Sequence, residues 1–237
     1  MEIKPLHITK RNEAFTIVEL LAVVVSVAVL GTLLVTGLTK SEPHAIGAIC
    51  TSNLKQIGAA IVMHSTDNND YLPGPCAAVA SPAYYYLPLP DGRSNSEFSY
   101  YLSAYLGGKD PSHMTASETN FIQTLFCPSF GSFSKTTPTV AMTRPTYGLS
   151  FPHTNSEVRL SVRPFGATTT SDGPASIPIK RTEISRYGQP SDIFAVSDLS
   201  SVENKPLNTS KAHGNSQNAL YFDGQVKSHQ GTNSLLP

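Results

Sequence analysis

The segment from Phe15 to Leu38 constrains the fold of this chain more than any other part of it. Its 24 residues include one ionisable side chain, that of Glu19. A helix rises about 1.5 Å per residue, so this length suffices to cross a hydrocarbon core about 30 Å thick. A cleaved secretory signal would have a shorter apolar region, of roughly 7–15 residues, before a small-residue cleavage site. The sequence therefore predicts a membrane-spanning helix over residues 15–40.

Basic residues lie unevenly around this segment. Three of them fall within the first 14 residues, whereas the nearest basic residues after the segment are Lys40 and Lys55. Because basic residues collect on the cytoplasmic side of a membrane helix, we expect residues 1–14 in the cytoplasm. The sequence therefore predicts a single-pass protein of the cytoplasmic membrane, whose residues from about 41 onward lie in the periplasm or at the cell surface.

Apolar residues continue at helical spacing beyond the membrane segment. They lie four, four, three and four residues apart and form one stripe, made of Ile46, Cys50, Leu54, Ile57 and Ile61. Such a stripe is typical of an amphipathic helix that packs on a core. Pro43 fits the first turn of this second segment or a kink, and Pro73-Gly74-Pro75 ends it. We therefore expect one long bent helix, whose amphipathic part covers residues 41–70.

The remaining residues, 71–237, are punctuated by proline and glycine, and we expect them to form a head of short elements. The local composition predicts a short helix over about 97–106 and strands over 146–151 and 192–197. The predicted fold class is therefore α+β, with the long amino-terminal helix packed on an antiparallel β-sheet.

The clearest local signal is a β-hairpin near the carboxyl end. Two alternating runs, Ala219–Phe222 and Gln225–Ser228, are joined by Asp223 and Gly224. An Asp-Gly pair suits a two-residue turn of type I′, because that turn needs a positive φ at both central residues. In this place Asp223 would cap its own turn and Gly224 would supply conformational freedom.

Charge and side-chain patterns exclude some classes of function. The chain carries 17 basic and 17 acidic residues without a basic cluster, so we expect no binding to nucleic acid by counterion release.

Four aspartates could supply oxygen ligands to calcium, namely Asp67, Asp70, Asp198 and Asp223. Their spacing does not match a twelve-residue calcium loop, and no cysteine and histidine spacing matches zinc. We expect no metal and no cofactor.

Glu19 is the unusual residue of the membrane segment, since a carboxylate there is costly and usually marks a function. It could also lie at the membrane interface and reach water. The surrounding sequence, KRNEAFTIVELLAVVVSVAVL, resembles the prepilin-type cleavage and methylation motif. The resemblance implies that a prepilin peptidase cuts between Ala14 and Phe15 and methylates the new amine. It also implies that Glu19 neutralises the amino terminus of a neighbouring subunit during assembly. The family usually has glycine where this chain has Ala14.

Further segments extend this resemblance along the chain. They are Cys50–Gly58, Cys127-Pro128, Pro190–Asp198, and His213 followed nine residues later by Asp223-Gly224. Together they resemble pilin-like proteins whose carboxy-terminal domain is named for that histidine and Asp-Gly spacing. The resemblance implies a long helix on an antiparallel sheet, as in type IV pilins and the pseudopilins of type II secretion.

The three cysteines would lie in an oxidising space outside the cytoplasm, so one disulfide and one free thiol are expected. Three pairs can be made from Cys50, Cys76 and Cys127. Cys50 and Cys127 both lie in the segments that carry the resemblance, which favours that pair as a link between helix and sheet. Alternatively, all three are small buried hydrophobic residues.

These observations predict a structural protein and not an enzyme. The expected function is that of a pilin-like subunit, assembled into a type IV pilus or a type II secretion pseudopilus. Its expected partners are the prepilin peptidase, other pilin-like subunits and the cytoplasmic membrane. Two alternatives stay open: a membrane-tethered hydrolase that uses His213, and a surface- or carbohydrate-binding module that never polymerises. A catalytic His213–Asp223 pair would need a nucleophile that the sequence does not single out.

Overall fold

The structure is a computed structural model of the 237-residue chain. It describes residues 16–76, 80–81, 83–86, 97–115, 118–128, 147–150, 153–154, 159–168, 175–198 and 216–230. The chain divides into two compact units, Met1–His44 and Ala45–Pro237, and each is considered by itself below.

The described elements are mixed α and β, and all strand pairs are antiparallel, which confirms the predicted fold class at that level. Helix α1 spans Ile17–Asp67 and helix α2 spans Phe98–Leu102. The strands are β1 Ala80–Ser81, β2 Tyr84–Tyr86, β3 Thr119–Phe121, β4 Tyr147–Leu149, β5 His153–Thr154, β6 Arg159–Leu160, β7 Phe194–Asp198, β8 Ser216–Tyr221 and β9 Val226–Gln230. Short 3₁₀ helices cover Ser103–Tyr105, Pro111–His113, Gln123–Leu125 and Arg181–Arg186.

Five strands form the main sheet of the second unit, in the order β1-β4-β7-β8-β9. Their register brings apolar side chains into one row across the sheet, because Leu149 pairs with Val196 and Val196 pairs with Leu220. All three side chains are buried. Cross-strand pairs of this kind are the unit by which a sheet is stabilised. Strands β2 and β3 pair separately, as do β5 and β6.

The part of α1 within the second unit packs its apolar stripe into the core, as predicted. Cys50, Leu54, Ile57 and Ile61 are all buried there, whereas Ile46, the first residue of the predicted stripe, is only half-buried. The helix approaches the sheet closely at Gly58, where an added Cβ would lie 3.0 Å from a methyl group of Leu220 on β8. The spacing of the stripe therefore identified the face of the helix that covers the sheet.

The end of α1 follows the predicted break. The helix stops at Asp67, and Asn69 and Asp70 adopt φ values of 53° and 70°. Asparagine and aspartate are the residues, after glycine, that most readily adopt this left-handed conformation. The bend predicted at Pro43 concerns the boundary between the two units and stays a prediction.

The predicted elements of the head are present with shifted boundaries. Strand β4 lies within the predicted 146–151, and β7 is shifted by one to two residues from the predicted 192–197. Helix α2 is shorter than the predicted 97–106, because its last turn tightens. The amide of Ser103 donates to the carbonyl of Tyr100, and a 3₁₀ helix continues to Tyr105.

The carboxy-terminal hairpin is present, but the predicted type I′ turn is wrong. Strands β8 and β9 pair directly, and a three-residue loop, Phe222–Gly224, joins them. The amide of Gly224 donates to the carbonyl of Tyr221 at 2.9 Å, and the amide of Tyr221 donates to the carbonyl of Gln225 at 2.8 Å. Gly224 has a φ of 86°, whereas Asp223 keeps a negative φ. This pattern matches the three-residue hairpin loop in which glycine forms a bulge after a tight turn.

Candidate functional site

The first turn of α1 holds Glu19 in a reciprocal pair of hydrogen bonds with Thr16. The amide and the hydroxyl of Thr16 each donate to Oε2 of Glu19 at 2.9 Å. The amide of Glu19 donates in return to the Thr16 hydroxyl at 3.3 Å. This is a capping box, which satisfies amide groups that the helix start would otherwise leave unpaired. Glu19 therefore has a local structural role that the sequence interpretation missed, although Thr-x-x-Glu is its recognised signature.

Apolar side chains cover all sides of the helix after this cap. Ile17 is 84 % exposed and Leu21 is 64 % exposed, and the other large apolar side chains up to Leu30 are exposed as well. The hydroxyls of Ser26 and Thr32 donate to carbonyl groups of their own helix, at 2.7 and 2.8 Å. These bonds hide the polar groups of the segment from its surroundings. A helix that is apolar on every side requires lipid or other helices around it.

Length and composition identify a different stretch as able to cross a membrane. Among the described residues, Ile46–Asp67 is long and apolar enough to cross a membrane, whereas Ile17–Thr32 is apolar but shorter. The stretch Ile46–Asp67 contributes its apolar stripe to the core of the second unit, and the opposite face carries exposed polar residues such as Lys55 and Gln56. Ile46–Asp67 is therefore a core helix of the second unit. The span predicted over residues 15–40 stays a prediction.

The predicted processing site lies outside the described residues. Ala14 and Phe15 precede Thr16, the first residue that the structure describes. The family residue His213 also lies outside the described residues, in the stretch before β8. The expectations for these three residues stay predictions.

A disulfide joins Cys50 of α1 to Cys127, the pair that the sequence analysis favoured. The two Cα atoms are 5.4 Å apart, and both residues are fully buried. One turn further along α1, the side-chain Nδ2 of Asn53 donates to the carbonyl of Phe126 at 3.1 Å. Two adjacent bonds therefore fix α1 to the segment that follows β3.

The third cysteine, Cys76, is a buried free thiol. Its Sγ lies 3.8 Å from the carbonyl of Pro73. Burial raises the pKa of this thiol far above its usual range, and the nearby Glu97 carboxylate adds to the effect. The thiol therefore stays protonated and unreactive at physiological pH.

The segment just after α1 is fixed to the distant segment that contains the 3₁₀ helix Arg181–Arg186. Oδ2 of Asp70 accepts hydrogen bonds from the amide of Thr182 at 3.0 Å and from its hydroxyl. These bonds lower the pKa of Asp70, with a smaller contribution from the charge of Arg181. The amide of Leu72 donates to the carbonyl of Ile179 at 3.0 Å beside this contact. Sequence reasoning did not find this contact, because its two sides are 112 residues apart.

The four aspartates considered for calcium lie in separate environments. Asp67 accepts a hydrogen bond from Tyr105, Asp70 from Thr182, Asp198 from Asn218 and Asp223 from Gln225. Among the residues that the structure describes, no three histidine, cysteine, aspartate or glutamate side chains come together as a metal site would need.

The family residues Asp223 and Gly224 form the tip of the β8–β9 hairpin. Oδ1 of Asp223 accepts a hydrogen bond from the amide of Gln225 at 2.9 Å, so the carboxylate caps its own turn. A Cβ added to Gly224 would meet no atom within 4 Å, and its φ of 86° is the property that requires glycine. The described geometry gives Asp223 and Gly224 a role in folding.

We expect Gly224→Val to destabilise the protein by more than about 1 kcal/mol, since a β-branched side chain is strained at positive φ. Asp223→Asn is the matched control and should change stability little, because the asparagine oxygen accepts the same hydrogen bond. Thermal unfolding of both variants with calcium and with a chelator measures the difference. Equal damage from the two variants, or a wild-type protein that loses stability on chelation while Asp223→Asn does not, would make the carboxylate a ligand.

Protein-family models, curated proteins and solved structures were compared with this chain, and none of them matches it.

Proposed function

We propose that this chain is a pilin-like structural subunit, processed by a prepilin peptidase and assembled into a type IV pilus or a type II secretion pseudopilus. The observation that carries the proposal is the exposed apolar surface of Ile17–Thr32, whose single carboxylate, Glu19, lies in the first turn of the helix. A surface of this kind is unstable in water, so lipid must cover it before assembly and neighbouring helices afterwards.

The division of α1 supports the same proposal. Its first part belongs to the amino-terminal unit, and its second part supplies the core stripe of an α+β head. We infer one long bent helix, anchored in the cytoplasmic membrane by residues 15–40 and packed on the antiparallel sheet by residues 41–70. The leader, residues 1–14, is cytoplasmic and removed, and the head, residues 71–237, lies outside the cytoplasm.

The capping box at Thr16 explains Glu19 in a second way, as a residue that stabilises the start of the helix. A cap needs only an acceptor oxygen, and a neutral glutamine would supply one. A negative charge inside the proposed membrane span is costly unless a positive charge pairs with it. In the proposed filament the new amino terminus of a neighbouring subunit is that partner.

Expression in a host with a prepilin peptidase and an assembly ATPase tests the proposal. We expect the chain in the filament fraction that shearing releases from the cells, and only in the membrane fraction of an isogenic host without the peptidase. A membrane-tethered enzyme or binding module would stay in the membrane fraction of both hosts, and that result would contradict assembly.

A further inference from the structure

His64 is a buried titratable residue in the last turn of α1, with 8 % of its surface exposed. Its ring meets the ring of Tyr101 edge-on, with centroids 6.3 Å apart, and the ring of Tyr105 with centroids 5.9 Å apart. The ring nitrogen Nδ1 is buried and has no hydrogen-bond partner among the described residues.

The titratable groups around His64 lie on α1, on α2, on the 3₁₀ helix Ser103–Tyr105 and at Tyr71 beyond the end of α1. On α1 itself, Asp67 lies one turn away, and its Oδ2 accepts a hydrogen bond from the Tyr105 hydroxyl at 2.9 Å. On α2, the Tyr101 hydroxyl donates to the carbonyl of Pro75 at 3.2 Å. Burial raises the pKa of Tyr101 to about 12 and raises the pKa of Tyr105, so both phenols are neutral at physiological pH. Asp67 is therefore the charged group that acts on the imidazole, and its carboxylate already accepts a hydrogen bond from Tyr105.

We propose that His64 is an acid-sensitive latch. Its neutral ring holds the side chains of Tyr101 and Tyr105 on the last turn of α1, and its protonated ring releases them, while Phe98 and Leu102 keep their segment in the core. The neutral ring brings no charge into its buried site, so the only penalty there is the unpartnered Nδ1. Protonation places an N–H group at Nδ1, where the described residues offer no acceptor, and a charge where little water reaches it. Leaving the site relieves both penalties and removes the contacts with Tyr101 and Tyr105.

The direction of the pH dependence follows from linkage. Burial lowers the pKa of His64 below its ordinary value of 6.5, and the Tyr71 backbone and Asp67 oppose this only in part. The released ring therefore binds a proton at a higher pH than the packed ring. Packing is most stable above 6.5 and weakens as the pH falls from 6.5 towards the lowered pKa. Each pH unit between the two pKa values multiplies the opening constant by about ten.

Hydrogen exchange of the full chain in detergent micelles, at about pH 8 and about pH 5, tests the latch. After correction for intrinsic exchange rates, peptides from residues 98–106 of the wild type should lose protection at the lower pH. His64→Gln should remove this change, since glutamine donates a hydrogen bond but does not titrate in this range. His113→Gln alters an exposed histidine and is the matched control, so it should behave as the wild type does.

Two results would overturn the latch. One is equal protection of residues 98–106 at both pH values in the wild type, and the other is the same loss of protection in His64→Gln. If His64→Gln fails to fold, an NMR titration of the wild-type histidine rings decides instead. The latch predicts that the contacts of the His64 ring with the Tyr101 and Tyr105 rings are lost as His64 takes up its proton, at a midpoint below 6.5. Contacts that persist after protonation, or a midpoint at or above 6.5, contradict it.

Discussion

Glu19→Gln is expected to reduce incorporation into sheared filaments at least about tenfold, while membrane insertion stays at the wild-type level. The glutamine oxygen can accept the two hydrogen bonds that Thr16 donates, so the helix start keeps its capping box. The variant lacks only the negative charge. In the proposed filament this leaves the amine of the neighbouring subunit without its partner in a medium of low dielectric constant, which is strongly destabilising. Membrane fractionation and shearing measure the two steps separately.

Glu19→Ala is the comparison that separates the role of the carboxylate charge from the role of the capping box. This variant loses both the carboxylate charge and the hydrogen-bond acceptor, and we expect it to assemble as poorly as Glu19→Gln. If Glu19→Gln assembled as the wild type does while Glu19→Ala failed, the capping box alone would explain the residue. Wild-type assembly by both variants would make Glu19 a residue of the membrane interface with no part in assembly.

Removal of the Cys50–Cys127 disulfide should produce the largest loss of stability in the head. The bond closes a loop of 77 residues, and the loss of chain entropy in the unfolded state makes such a link worth about 4 kcal/mol. The double variant Cys50→Ala, Cys127→Ala should therefore unfold at a much lower denaturant concentration than the wild type, and a reductant should shift the wild type in the same way.

Cys76→Ala is the matched control for the disulfide, since it removes a buried cysteine that forms no disulfide. Its loss should be limited to the packing of one small side chain, about 1 kcal/mol. Denaturant midpoints of the full chain in detergent, measured with and without reductant, give the comparison. A double variant within about 1 kcal/mol of the wild type would show that the bond contributes little to stability.

Local patterns in the sequence predicted the elements of this fold better than the contacts between them. The stripe through Cys50 and Leu54 follows the period of a helix, so one buried face could be read directly. The hairpin at Asp223-Gly224 was also predicted, but an Asp-Gly pair is compatible with more than one loop. Its type depends on the bond between Tyr221 and Gly224, which no local pattern specifies.

Contacts between distant residues were not predictable in this way. Asn53 and Phe126 are 73 residues apart, and Asp70 and Thr182 are 112 residues apart. Neither pair has a sequence signal, because the contact exists only after both segments have folded. The environment of His64 likewise depends on where α2 packs. The capping box at Thr16 is different, since its signature is local and was overlooked beside the family motif that contains it.

Amino-terminal sequencing of the protein in the sheared filament fraction tests the central claim most directly. If the chain is a pilin-like subunit, the sequence should begin at Phe15, and the terminal amine should be methylated. The protein in a host without the prepilin peptidase should retain residues 1–14 and should be missing from that fraction. A filament protein that still begins at Met1, or a chain cut near residue 40, would contradict the proposed processing and the role of Glu19 that depends on it.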